Sequence, residues 1–204
     1  MSLADVAAAI AALPPGRRLV ALAGPPASGK STNADRLTDA IRSRGRTVAV
    51  IPMDGFHLDN DTLAARGLRA RKGAPETFDV FGLIALVRAV AEGGARDYPT
   101  FDRTADATVP AGGRIGDGDE IALFEGNYLL LDEAPWRALH PLWDATVALS
   151  VPEAELERRL MARWRRHDPA NAEVRCREND LPNARRVMTG SVPADHVLVQ
   201  DAET

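Results

Sequence analysis

An α/β fold on a parallel sheet is predicted by three observations. RLVALA is a short apolar run that ends in Gly24, a glycine-rich loop follows it at once, and an amphipathic segment then leads into a second apolar run. Together these make a strand, loop, helix and strand within residues 18–53, a βαβ unit whose crossover is expected to be right-handed. The natural completion is a doubly wound sheet.

The elements follow in order. Ser2 to Leu13 is alanine-rich and reads as a short first helix; it lacks the basic start of a signal peptide. Arg18 to Ala23 is the first strand and Gly24 to Lys30 the loop. Ala34, Leu37, Ala40 and Ile41 recur at three- and four-residue spacing, which predicts a helix from Ser31 to Arg44 closed by Gly45. Thr47 to Met53 is the second strand. Further strands are predicted at Glu120 to Phe124, Ala145 to Val151 and His196 to Val199, and further helices at Val80 to Ala91, Pro152 to His167 and Asn179 to Met188. Gly55 to Phe78 and Gly93 to Gly118 show no period. Aperiodic stretches of that length are expected to be functional loops, here for acceptor binding.

Composition narrows the function classes. The 204 residues are 45% hydrophobic and 26% charged, which fits one globular domain, 1–204, rather than a disordered chain. The net charge of -4 argues against a nucleic-acid binder, and no apolar run approaches the ~18 residues of a membrane span. Cys176 is the only cysteine, so an intrachain disulfide and a multi-cysteine zinc site are excluded and a reducing, cytoplasmic setting is expected. The partner expected is a small-molecule substrate, with homodimerisation left open. Among 25 basic residues only Lys30 and Lys72 are lysine, and both fall in motifs.

Gly24-Pro25-Pro26-Ala27-Ser28-Gly29-Lys30-Ser31 fits G-x-x-x-x-G-K-[ST], the P-loop or Walker A motif, between a predicted strand and a predicted helix as the motif requires. Gly24, Ala27, Ser28, Gly29 and Thr32 would present the loop to a nucleoside triphosphate. Lys30 would reach the transferring phosphate, and the Ser31 hydroxyl would ligate Mg²⁺. Asp54, in MDGFH, closes the second strand at the carboxyl edge of the sheet, where a carboxylate could take the proton of an attacking hydroxyl; the plain alternative is a turn residue beside Gly55. His57 is divided between acceptor contact and loop polarity. Glu125 follows the strand EIALF at the same edge and is the candidate second metal ligand, with Asn127 beside it on the substrate side. In the helix from Glu153 to His167, Arg159, Arg163 and Arg166 share a face that could close over phosphates as a lid spanning about residues 152–178; the alternative is a solvated helix paired with its own glutamates.

GPPASGKST, MDGFH, RKGAPETFD, YPTFDR and FEGNYLL, in that order, resemble the P-loop kinase superfamily of uridine kinase, phosphoribulokinase and bacterial type I pantothenate kinase. The strings MDGFHLDN, RKGAPETFDV and EGNYLLLDEAPW are most similar to its bacterial fructose-transport-system kinase branch, also described as nucleoside or nucleotide kinase-like. The resemblance implies a three-layer P-loop NTPase sandwich with a five-stranded parallel sheet in the order 2-3-1-4-5 and a helical lid. It also implies MgATP as donor and a hydroxyl of a small polar metabolite as acceptor, a sugar such as fructose being favoured over pantothenate or a nucleoside. Carried over by motif, Lys30, Asp54 and Arg163 are catalytic; Arg159 and Arg163 bind nucleotide, with Asn183 and Asn179 on the adenine side. Lys72, Glu76, Tyr98, Asp102 and Arg103 would line the acceptor site. An N-K-x-D guanine motif is absent from the sequence, which sets aside a GTP switch, whereas a nucleotide-binding regulator without catalysis stays open.

Overall fold

The computed structural model describes residues 1–200; the expected domain range runs to residue 204, and 201–204 lie outside the described residues. Five strands form an all-parallel sheet: β1 (Arg18–Ala23), β2 (Val48–Pro52), β5 (Ile121–Gly126), β6 (Ala145–Ser150) and β7 (His196–Val199). Their spatial order is β2-β5-β1-β6-β7. Counted along this sheet alone, that is the expected order 2-3-1-4-5.

Alternation along β1 sends its side chains into two different cores. Leu19, Ala21 and Ala23 join one cluster with α4 (Val80–Ala91) and the 3-10 turn Trp136–Leu142. Val20 and Leu22 join the other, with α1 (Leu3–Ala11) and α2 (Lys30–Arg42). Both faces of the sheet are thus covered, which is why its strands read as unbroken apolar runs. Ser2 caps α1: its hydroxyl accepts from the Asp5 N–H while Asp5 accepts from the Ser2 N–H.

The first aperiodic stretch, 55–78, holds the short helix α3 (Asn60–Ala65) and two single 3-10 turns, at Arg69–Arg71 and Pro75–Thr77. The second, 93–118, departs from the expectation of a loop. It is an antiparallel ribbon of β3 (Arg96–Asp102) and β4 (Ala107–Ile115), with a bulge between Tyr98 and Thr100. Pro99, Pro110 and two adjacent glycines hide its two-residue period. Those glycines are steric requirements: a Cβ on Gly113 would sit 2.1 Å from the Tyr98 ring.

The region expected to form a lid also differs from expectation. After α5 (Glu153–His167) and the short α6 (Ala172–Val174), Arg175–Asp180 form a π-helical segment that runs into α7 (Leu181–Gly190). The helix expected from Asn179 therefore belongs to a longer wound segment that starts earlier. Among the described residues no helix is long and apolar enough to cross a membrane.

Candidate active site

Parallel pairing sets the site at the carboxyl edge of the sheet. Leu22 of β1 and Pro52 of β2 both lie opposite Glu125 of β5, so the phosphate loop after β1 and Asp54 after β2 flank Glu125. A cleft of about 530 Å³ opens there. Its donor side includes Ala27, Gly29, Lys30, Ser31, Thr32, Glu125 and Arg163, and its other side includes Asp54, His57, Lys72, Phe101, Arg103 and Asn127.

The phosphate loop is built to hold an anion. Gly29 is the N-cap of α2 at φ +82°, a left-handed conformation that glycine adopts without penalty, and no side chain caps the helix. The first N–H groups of α2 are therefore left for phosphate oxygens, aided by the helix dipole. Ala27, at φ +64°, is one of two non-glycine residues at positive φ in the described chain, and both line this cleft. Lys30 Nζ donates to the Pro25 carbonyl at 2.9 Å, folding the ammonium back over the loop. Burial pushes its pKa down to about 8, against the pull of Glu125 and Asp54, while Arg163 and Arg103 add to the depression.

The Ser31 hydroxyl donates to Glu125 Oε1 at 3.2 Å. Burial raises the Glu125 pKa, and the nearby Lys30 offsets part of that rise. Among the described residues no cluster of three acidic, histidine or cysteine groups could cage a metal. Mg²⁺ does not need one, since it keeps waters and takes one or two protein oxygens together with substrate phosphates. The hydroxyl and carboxylate oxygen of Ser31 and Glu125 fit that donor set.

Asp54 Oδ2 accepts from Arg103 at 3.0 Å. His57 lies between Phe78 and Phe101, with ring centroids 4.1 and 4.7 Å away, and its Nδ1 is 2.8 Å from the Asp54 carbonyl oxygen. Burial lowers the His57 pKa, so the ring is neutral at pH 7 and Nδ1–H donates to that carbonyl. Its Nε2 is left as an acceptor.

Other sequence candidates stand elsewhere. Glu76 pairs with Arg186 at 3.1 Å and Arg71 at 3.7 Å, away from the cleft lining. The Tyr98 hydroxyl donates to the Val50 carbonyl at 2.9 Å and so covers the outer edge of β2. Asp102 accepts from the backbone N–H groups of Thr104 and Ala105 and shapes the ribbon turn. Asn183 is buried, donates to Asn179 and accepts from Arg71. Asn179 donates to the Lys72 carbonyl. None of these five lines the cleft.

The three α5 arginines expected to act together also separate. Arg159 is held by Glu155 at 2.6 Å and reaches the Ala27 carbonyl at 3.5 Å. Arg163 lines the cleft beside Trp164, and Arg166 is exposed without lining it. Sequence reasoning missed Asn60, Arg69, Asp106, Trp164, Arg175 and Asp180. Trp164 Nε1 donates to Asp180 at 2.8 Å while Arg163 and Arg175 approach its ring at 6.0 and 5.5 Å. Trp164 continues the apolar stripe of Leu156 and Leu160 on α5 and packs on Leu160, so in the sequence it reads as core.

A parallel sheet in this order, with an uncapped glycine-rich helix start and two carboxylates at its edge, defines a P-loop kinase. A crystal structure from Silicibacter sp. TM1040, provisionally named a fructose transport system kinase, superposes with a TM-score of 0.92 at 43% identity, covering 97% of this chain and 99% of its own. The uncharacterized protein YggC of Escherichia coli K12 is 34% identical over 93% of this chain and 81% of itself. A provisionally named uridine kinase, C227.14 of Schizosaccharomyces pombe, is 34% identical over 90% of this chain and 83% of itself. The family described as chromatin associated protein KTI12 matches residues 18–71, the part that carries the phosphate loop and Asp54. The chain belongs to the P-loop kinase superfamily of uridine kinase, phosphoribulokinase and pantothenate kinase, and within it resembles the fructose-transport-system kinase branch.

Proposed function

We propose that this small-molecule kinase transfers the γ-phosphoryl group of MgATP to a hydroxyl of an uncharged sugar, fructose being the first candidate. The observation that carries the reading is the single cleft that joins Lys30, Ser31 and Glu125 to Asp54, His57 and Phe101. In this reading the loop N–H groups and Lys30 hold the β- and γ-phosphates, and Asp54 Oδ1, left open by the Arg103 bond to Oδ2, receives the acceptor proton. The acceptor oxygen bonds to the γ-phosphorus as the bridging bond to ADP breaks. Arg163 on the lid faces the charge that spreads over the transferring group. Ser31 and Glu125 would hold Mg²⁺, which supplies neutralisation of phosphate charge.

Two features favour a sugar over a carboxylate such as pantothenate. The apolar surface that Phe78 and Phe101 give the cleft beside His57 suits the C–H groups of a sugar, and the neutral His57 Nε2 suits a hydroxyl donor. The three cations of the acceptor wall are already paired, Arg103 with Asp54 and both Arg69 and Lys72 with Asp106. A cytoplasmic enzyme with residues of about 152–178 acting as its lid completes the proposal.

The test is ADP release with MgATP against fructose, other sugars, pantothenate, uridine, cytidine and ribulose 5-phosphate. Turnover raised by a sugar and by no acid supports the reading; turnover raised only by pantothenate or a nucleoside moves the chain to that substrate class. ATP binding with no acceptor-dependent turnover would favour a regulator that keeps the fold without the chemistry.

A further inference from the structure

We propose that Asp106 is a positioning residue that fixes the acceptor wall, and that Lys72 belongs to the clamp Asp106 organises instead of contacting the acceptor. The inference deepens the kinase reading of the same cleft and, for its kinetic part, rests on it.

An ammonium group has three N–H donors. Those of Lys72 have three acceptors in place: Asn60 Oδ1 at 2.8 Å, Asp106 Oδ1 at 2.7 Å and the Asp106 carbonyl at 3.2 Å. Its side chain is only 10% exposed. The second carboxylate oxygen of Asp106 accepts from Asn60 Nδ2 and from Arg69, each at 3.0 Å. The network is therefore closed around Lys72, and no donor of that lysine is left for a substrate.

The clamp joins segments far apart in sequence. Asp106 sits in the turn of the β3–β4 ribbon, whereas Asn60, Arg69 and Lys72 belong to the stretch between β2 and α4. The ribbon also carries Phe101, which packs on His57 and lies 4.9 Å from Lys72 Nζ, and Arg103, which holds Asp54. Asp106 adopts φ +51°, a left-handed conformation that aspartate and asparagine tolerate better than other non-glycine residues. Exposed ion pairs alone would contribute little, but stranding the largely buried Lys72 ammonium is costly, so the geometry holds as a unit.

The experiment compares Asp106→Asn, Lys72→Met, their double variant and the milder Asn60→Ala in the full chain. Asp106→Asn keeps size and backbone preference while removing the charge. Amide hydrogen exchange over residues 58–73 and 100–107 is expected to speed up by about fivefold or more in Asp106→Asn, less in Asn60→Ala, with the phosphate loop unchanged. With fructose as the probe, the acceptor KM should rise by about tenfold, with kcat and the ATP KM within about threefold. The double variant should be no worse than the worse single one, because both changes break one network. Unchanged exchange in Asp106→Asn overturns the clamp. Fully multiplicative KM effects in the double variant overturn it too, since they would make Lys72 an independent acceptor contact. Absence of turnover on fructose sinks only the choice of sugar, because exchange reports on the clamp without any acceptor.

Discussion

The two sides of the cleft are built by different means. Most of the donor side is one contiguous loop that offers chiefly backbone N–H groups, set by the end of β1, the left-handed Gly29 and the start of α2, with only Glu125 and Arg163 added from β5 and α5. The acceptor side is assembled from residues separated by tens of positions and is held by side-chain bonds such as Arg103 to Asp54 and Lys72 to Asp106. A site made of backbone resists substitution of its neighbours, while one made of side-chain bonds can be retuned a residue at a time. That contrast explains how one phosphate loop serves kinases with different acceptors.

The largest expected effects test whether chemistry needs both sides at once. Lys30→Ala and Asp54→Asn should each lower kcat by about 10³-fold. They should part in calorimetry, where Lys30→Ala also loses ATP affinity and Asp54→Asn keeps it. Turnover near the unmodified level in Asp54→Asn would remove that residue as the base. Next comes the lid: Arg163→Ala should cost about 10²-fold in kcat, whereas Arg166→Ala should stay within about twofold, measured at saturating MgATP. Equal losses at both positions would show that helix charge in general, and not the cleft-lining guanidinium, matters.

A third substitution should separate the sides structurally. A Cβ on Gly55 would lie 1.9 Å from the Pro99 carbonyl oxygen, a backbone atom that cannot swing away. Gly55→Ala should push the ribbon off, lowering stability in urea by about 1–3 kcal/mol while leaving ATP affinity within about twofold. A matching loss of ATP affinity would mean that the two sides are coupled more tightly than their construction suggests.

The smallest effect is a pH dependence of the donor side. With a pKa of about 8, Lys30 loses its proton as the pH rises from 7 to 9, and ATP affinity should fall by about tenfold over that interval by titration calorimetry. Stability moves the other way. Above about pH 8 the folded state holds fewer protons at this lysine than the unfolded chain does, until the unfolded group titrates near 10.5, so this group makes stability rise with pH across that window. A flat ATP affinity between pH 7 and 9 would assign the phosphate charge to other cations.

Legibility in the sequence followed the same division. Lys30 and Ser31 could be read from the phosphate-loop motif that follows β1, and Asp54 and Glu125 because each stands at the end of an apolar strand; parallel register carries them all to one edge. The sheet order came through the family resemblance and the strands through their apolar runs. Asp106, Asn60 and Arg69 gave no signal, because their roles exist only when the ribbon meets the stretch after β2. Tyr98, Glu76 and Asp102 lie within motif strings, and Asn183 lies where the resemblance implies the adenine side, yet neither can tell a side chain that points into a cleft from one that braces its wall. The ribbon itself was hidden by prolines and glycines, and the π-helical segment Arg175–Asp180 has no periodic signature of its own.

Trp164 gives the molecule a built-in optical probe. Of the three tryptophans, Trp136 and Trp143 pack in the core beside α4 and β5, and only Trp164 lines the cleft, on the helix that carries Arg163. Its indole is flanked by two guanidinium groups and hydrogen-bonded to Asp180, so any movement of that helix changes the charges around it. Emission from a Trp136→Phe, Trp143→Phe protein would then follow nucleotide arrival in real time, without a label.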